Sequence, residues 1–297
     1  MKRLWFISWS VLCVLLVAIG CTPATKTTVR VGSKDFTEQF IVAEMYAILL
    51  ESEGFEVERQ LNLGSTPIVH DKIVAAEIDI YPEYTGTSYL TVLKQEVETD
   101  PQVVYGNVAS EYAQQFDLTV LEPAPMNNTQ AIAMTKAHAA ELGIATISDL
   151  VEKSGEIVLV GPIEFLERED GIAGLKTLYG DFEFAEYRPI DPGLRYVALA
   201  NGEIDAVVAF GTDGQINEFD LLVLEDDRQF WPPYQIAPVI RTPLVTEYPE
   251  ITEVLNQLAL LLTNDTMRRL NNEVSSNGRS PAEVAQQFLS DAGLLND

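Results

Sequence analysis

Two stretches decide how this chain is read: Ala76-Glu77-Ile78-Asp79-Ile80, followed by Tyr84, and Gly202-Glu203-Ile204-Asp205-Ala206, followed by Phe210. In each, a helix end and a Glu-Ile-Asp string lead into an apolar strand, with an aromatic residue five positions after the Asp. So short a string can arise as ordinary strand grammar. The alternative is a pair of similar α/β lobes facing each other, each presenting an aromatic near the end of a strand. Ligands of open α/β sheets bind beyond the carboxyl ends of strands, often between domains.

The surrounding pattern extends this reading. Val29-Arg30-Val31-Gly32 predicts a strand, residues 38–53 a helix closed by Gly54, Phe55-Glu56-Val57-Glu58 a second strand and residues 67–76 a helix. Ile78-Asp79-Ile80-Tyr81, Ile157-Val158-Leu159-Val160, Phe182-Glu183-Phe184 and Ala206-Val207-Val208-Ala209-Phe210 are further strands. Strands alternating with helices predict an α/β fold on a mostly parallel sheet. Residues 246–297 read as helical: Leu255, Leu258, Leu261 and Leu262 share a face, and a Ser280 cap begins a helix over 281–289. No Pro- or Ser-rich run separates the two halves, which predicts closely coupled lobes.

The length of 297 residues suggests about two domains, and 47% hydrophobic residues can fill their cores. Nineteen Lys and Arg stand against 45 Asp and Glu, a formal charge of −26 that disfavours nucleic acid and anionic lipid as partners. Two Cys rule out a disulfide scaffold, and with only His70 and His138 a His-rich metal site is excluded. No dinucleotide fingerprint, phosphate loop, zinc-protease helix or nucleophile elbow is present. Glu167-Arg168-Glu169-Asp170 and Glu225-Asp226-Asp227-Arg228 lack calcium-loop spacing and read as solvated acidic turns. The expectation is a binding protein and not an enzyme, without metal or cofactor.

Lys2 and Arg3 precede an apolar run over residues 4–20 that ends in Val17-Ala18-Ile19-Gly20-Cys21. A membrane anchor and a cleavable export signal both fit such a run. The small residues before Cys21 resemble a bacterial lipobox, which implies a signal peptide over 1–20, lipidation at Cys21 and a tether over 21–28. Loss of residues 1–20, with two basic and no acidic side chains, would take the charge to −28 and leave Trp231 as the sole tryptophan. Cys13 would depart with them, so no thiol pair would remain.

Tyr81-Pro82-Glu83-Tyr84-Thr85-Gly86-Thr87 and Trp231-Pro232-Pro233-Tyr234 place aromatics in what reads as turns held by Pro and Gly. Ring faces so held suit a quaternary ammonium, which donates no hydrogen bond and is attracted by cation–π interaction. Core packing is the plainer use of any one such ring.

Six ordered motifs then carry a resemblance: Gly32-Ser33-Lys34-Asp35-Phe36-Thr37-Glu38-Gln39, the Tyr81 to Thr87 string above, Asn127-Asn128-Thr129, Arg168-Glu169-Asp170-Gly171, Thr212-Asp213-Gly214-Gln215-Ile216 and Pro232-Pro233-Tyr234. The chain resembles the substrate-binding proteins of osmoprotectant ABC transporters, the glycine betaine/carnitine/choline family. The resemblance implies a two-lobed periplasmic-binding-protein fold of type II with the ligand cleft between lobes, one lobe combining 27–126 with 237–297 and the other spanning 127–236. It implies a lipid-anchored receptor on the outer face of the cell membrane or in the periplasm, delivering its ligand to an ABC permease and its ATPase. It assigns Lys34, Thr87 and Arg168 to the ligand carboxylate, Tyr84 and Tyr234 to an aromatic cage, and Asn128 to a polar position near the ammonium. Phe210 stands where the family has Tyr, keeping the ring without its hydroxyl. Gln130 replaces a second cage Tyr, and its amide suits a polar ring such as that of ergothioneine, a betaine derived from histidine. A secreted enzyme on the same scaffold would instead show turnover, and an envelope adhesin a large apolar patch and no cleft.

Overall fold

In the computed structural model, which describes residues 27–189 and 195–295, the strands gather into two five-stranded sheets with one plan. The first contains β1 (Thr28–Gly32), β2 (Glu56–Gln60), β3 (Ile80–Tyr84), β4 (Leu118–Val120) and β10 (Ile236–Arg241), in the order β2-β1-β3-β10-β4. The second contains β5 (Gln130–Thr135), β6 (Val158–Gly161), β7 (Glu186–Pro189), β8 (Ala206–Phe210) and β9 (Leu221–Val223), in the order β7-β6-β8-β5-β9. Each holds a parallel trio, β2-β1-β3 or β7-β6-β8, extended by an antiparallel strand that the crossing chain supplies. Four strands of each sheet run in one direction, and the single opposing strand, β10 returning to the first sheet or β5 opening the second, makes the mostly parallel sheet a mixed one. Helices cover both faces of each sheet, giving two apolar layers per lobe. This is the two-lobed type II arrangement.

The sequence echo is a structural repeat. Each helix ends with a left-handed residue, Ala76 (φ 57°) or Gly202 (φ 72°). The next amide reaches back five residues, Glu77 N–H to the Lys72 carbonyl (2.8 Å) and Glu203 N–H to the Ala198 carbonyl (3.0 Å), the bond that closes a helix and frees the chain to turn. The Asp then clamps the neighbouring strand: Asp79 accepts from Arg30 N–H (2.9 Å), Asp205 from Val158 N–H (2.7 Å). The aromatic is the last residue of β3 and of β8.

The helix Thr37–Ser52 is buried along most of its length, since it packs both on the first sheet and against the C-terminal helix Pro281–Asp291. The expected helical tail is four helices: Thr242–Glu247, Glu250–Ala259, Asn264–Ser275 and Pro281–Asp291, the last begun by the Ser280 cap. Leu255, Leu258 and Leu262 are buried, but Leu261 is turned out because the helix stops at Ala259.

Three local expectations change. Phe182 and Phe184 form no strand; their rings meet edge to face at 5.4 Å and pack in the second core, and the polar β7 takes the sheet edge instead. Tyr81 to Tyr84 is not a turn but the buried strand β3, with Pro82 opposite Pro238 of β10. Neither proline has an N–H, so this register position can only be a pair without mutual hydrogen bonds. Asp170 is buried rather than solvated. The expected signal peptide, Cys21 and nearly all of the tether lie outside the described residues; among those described, no helix is long and apolar enough to cross a membrane.

Candidate functional site

Residues 121–129 and 224–235 carry the chain between the sheets, and they bond to each other: Asn128 N–H to the Tyr234 carbonyl (3.0 Å), and Tyr234 N–H to Asn127 Oδ1 (2.7 Å). Beside this crossing, two buried carboxylates hold most of the expected site residues.

The first is Glu38, on the opening turn of Thr37–Ser52. Its Oε1 accepts from the Tyr84 hydroxyl (2.6 Å) and Asn128 Nδ2 (3.0 Å); its Oε2 accepts from Asn271 Nδ2 (2.8 Å). Burial raises the Glu38 pKa, an effect that hydrogen bonds from Thr212, Tyr84 and Asn271 oppose and the charge of Asp213 reinforces. Tyr84, at the end of β3, stacks on Phe36 at 6.2 Å. Burial, then the Glu38 charge, pushes its phenol pKa well above the ordinary value, so it stays protonated and donates at neutral pH.

The second is Asp170, which accepts from Arg168 Nε (2.6 Å), from the Tyr234 hydroxyl (3.2 Å) and from Gln130 Nε2. Its backbone carbonyl accepts from the buried indole of Trp231 (2.9 Å). A third carboxylate, Asp213, accepts from Arg195 Nη2 (3.0 Å), Phe210 N–H (3.0 Å) and the Tyr196 hydroxyl. The Arg195 guanidinium lies 5.7 Å from the Phe210 ring centre.

Tyr84 and Asn128 thus meet on Glu38, while Gln130, Arg168 and Tyr234 meet on Asp170. Gln130 and Phe210, the two departures from the family pattern, are cross-strand partners between β5 and β8 and share a sheet face. Thr87 is half-buried one turn beyond Tyr84, where Thr85 ties the segment to the Pro233 carbonyl (3.0 Å). Lys34 is buried with partners of its own, Glu83 and Thr66 Oγ1 (3.1 Å), and its ammonium lies 4.8 Å from the Tyr84 ring centre. A cation therefore already occupies a position near that ring, and the residue expected on the carboxylate side sits among the aromatics.

Sequence reasoning left out Glu38, Asp170, Asn271, Arg195 and Asp213 as site residues. Glu38, Asp170 and Asp213 lay inside quoted motifs, and that position was their signal. Asn271 had none, since it reaches the site only because the helix Asn264–Ser275 folds back on the crossing. Among the described residues no group of His, Cys, Asp and Glu is arranged to hold a metal ion. Chemically, the arrangement offers aromatic faces, fixed acceptors and cations for binding a small charged molecule.

The family described as the substrate-binding domain of ABC-type glycine betaine transport systems matches residues 27–291. The chain is 33% identical to the glycine-betaine-binding protein of Pseudomonas aeruginosa, over 96% of this chain and 94% of that one. It is 34% identical to the ergothioneine transport permease/ergothioneine binding protein of Helicobacter pylori, over 89% of this chain but only 47% of that protein, so it spans about half of that relative's length. A solved structure described as a glycine betaine/carnitine/choline ABC transporter superposes with a TM-score of 0.85 at 31% identity, covering 90% of this chain and all of the other.

Proposed function

This chain belongs to the family of substrate-binding domains of ABC-type glycine betaine transport systems, and from that premise we propose that it is an exported, lipid-anchored receptor that captures a quaternary-ammonium zwitterion and hands it to a membrane permease. The lobes meet along the crossing segments, 27–126 with 237–297 on one side and 127–236 on the other. The ligand's ammonium lies against Tyr84, Tyr234 and Phe210, with Asn128 alongside. Its carboxylate is drawn to Arg168 and Thr87, with Lys34 adding positive charge near the cage. Export and anchoring rest on residues 1–21.

The observation that carries this reading is the pairing of two tyrosines, Tyr84 and Tyr234, with two buried carboxylates, Glu38 and Asp170. Their hydroxyls are tied down, so the rings are held in fixed orientations beside the crossing. Rings fixed before binding lose little entropy when a ligand arrives.

A second reading changes only the guest. The buried Gln130 amide, its register partner Phe210 and the similarity to the ergothioneine binding protein favour a betaine with a polar ring. Both readings are tested by titrating the chain lacking residues 1–21 with glycine betaine, carnitine, choline and ergothioneine, following Trp231 emission and checking by calorimetry. Trp231 reports well, because its indole donates to the residue that holds Tyr234. A saturable change with one ligand, lost in Tyr84→Ala, is expected and names the ligand class. Silence in both measurements for all four would reject a betaine receptor.

A further inference from the structure

The reading above uses Glu38 only to hold the Tyr84 hydroxyl, yet it is a buried acid surrounded by donors. They come from four separate segments: Tyr84 from β3, Asn128 from the crossing segment, Asn271 from the helix Asn264–Ser275, and Thr212 from the turn after β8, where Asp213 adds a like charge. Asn128 and Asn271 turn their amide nitrogens to Glu38 although this leaves the Oδ1 of each buried without a partner among the described residues. A carboxylate has acceptor capacity for all four of these donors, more than a neutral acid offers. Nearby, Lys34 and Glu83 form a separate ion pair, Glu83 also accepting from Tyr84 N–H (2.7 Å).

We propose that Glu38 is a positioning residue for cation capture: by accepting the Tyr84 phenol it fixes that ring and makes its face a stronger attractor for the ligand's ammonium, acting on the ligand through Tyr84. A phenol that donates to a carboxylate shifts electron density toward its ring, and the low local dielectric preserves the effect. The ring already has a cation within cation–π range, the Lys34 ammonium at 4.8 Å. The inference rests on the receptor reading.

The test uses the full chain, calorimetry and two probes of one shape: glycine betaine, and 3,3-dimethylbutanoate, in which carbon replaces the charged nitrogen. Glu38→Gln should weaken glycine betaine about three- to thirtyfold while changing the uncharged-headed analogue less than about twofold. Tyr84→Phe, which keeps the ring and removes the donor, should do the same, and Glu38→Gln should add nothing in that background. In the native chain the preference for glycine betaine should grow as pH rises through the Glu38 pKa, which burial holds above the ordinary carboxylate value, because only the ionised carboxylate enriches the ring. That profile needs no variant and stands if Glu38→Gln fails to fold. Equal losses for both probes, an undiminished Glu38→Gln effect in the Tyr84→Phe background, or a flat native profile would each overturn the proposal. No binding of glycine betaine to the native chain, with another betaine bound, overturns this inference alone; no betaine bound at all overturns the receptor reading and this inference with it.

Discussion

At Arg168 the guanidinium rests on Asp170, and on the proposed reading a ligand carboxylate would have to share or replace that partner. A fork of N–H donors can serve two carboxylates, which a lysine ammonium does less well. Arg168→Ala should therefore weaken glycine betaine several-fold while leaving choline, which has no carboxylate, nearly unchanged; calorimetry with both ligands decides, and equal losses would locate the effect in the exposed charge of Asp170. Tyr84, Asn128, Arg168 and Tyr234 were legible as site candidates because each stands in a motif whose spacing is local, and Gln130 because it directly follows one. Glu38 and Asp170 were not singled out among 45 acidic residues, since what distinguishes a carboxylate is its burial and its donors. Lys34 was assigned through the family resemblance, and its pairing with Glu83 depends on where β3 lies beside β1.

At the scale of elements, Asp79 holds the first sheet together. It accepts from Arg30 Nε (2.8 Å), Arg30 Nη2 (2.8 Å) and Arg241 Nη1 (3.1 Å), linking β1, β3 and β10. Burial alone would raise its pKa, but the hydrogen bonds from Arg30 and Arg241 prevail and hold it below the ordinary carboxylate value. A depressed folded pKa contributes stability above the unfolded value, about 3.9, and that stability is lost as pH falls through the folded value. The native chain should thus lose melting temperature more steeply than Asp79→Asn between about pH 4 and 2, and be the more stable of the two at pH 7. Parallel melts at both pH values check this; a constant gap would show that the three bonds do not depend on the charge. Strand positions were legible where apolar runs were continuous. The edge strand β7 was not, because Glu186–Pro189 is polar and partly exposed while the more apolar Phe182 and Phe184 fold into the core.

For the whole molecule, the contact that joins the lobes beside the crossing is unusually close. Gly214, after β8, lies so near the helix Asn264–Ser275 that a methyl group there would sit 2.7 Å from the Asn272 backbone nitrogen. Arg268 Nε donates to the Gly211 carbonyl (2.8 Å) and Asn271 Nδ2 to the Thr212 carbonyl (2.8 Å) in the same contact. Gly214→Ala must push turn and helix apart, since the obstacle is backbone, at a cost of about 1–3 kcal/mol. The expected result is a lower melting temperature together with a changed small-angle scattering profile, because the lobes must reorient about the crossing. An unchanged profile would mean that the helix yields locally.

The sequence alone determined the α/β class and the family whose fold and ligand class follow, and it raised the Glu-Ile-Asp echo that the structure shows to be a repeat. These depend on local chemistry: a left-handed helix stop, period-two apolar runs and short motifs all act within a few residues. Only the tertiary structure decided that β10 returns to the first sheet, that Pro82 can lie inside a buried strand, and that Asn271, 233 residues from Glu38, completes the donors around it. Those outcomes depend on which distant segments the crossing brings together, and burial, which decides whether a carboxylate is a solvated surface charge or a fixed acceptor, exists only once they meet.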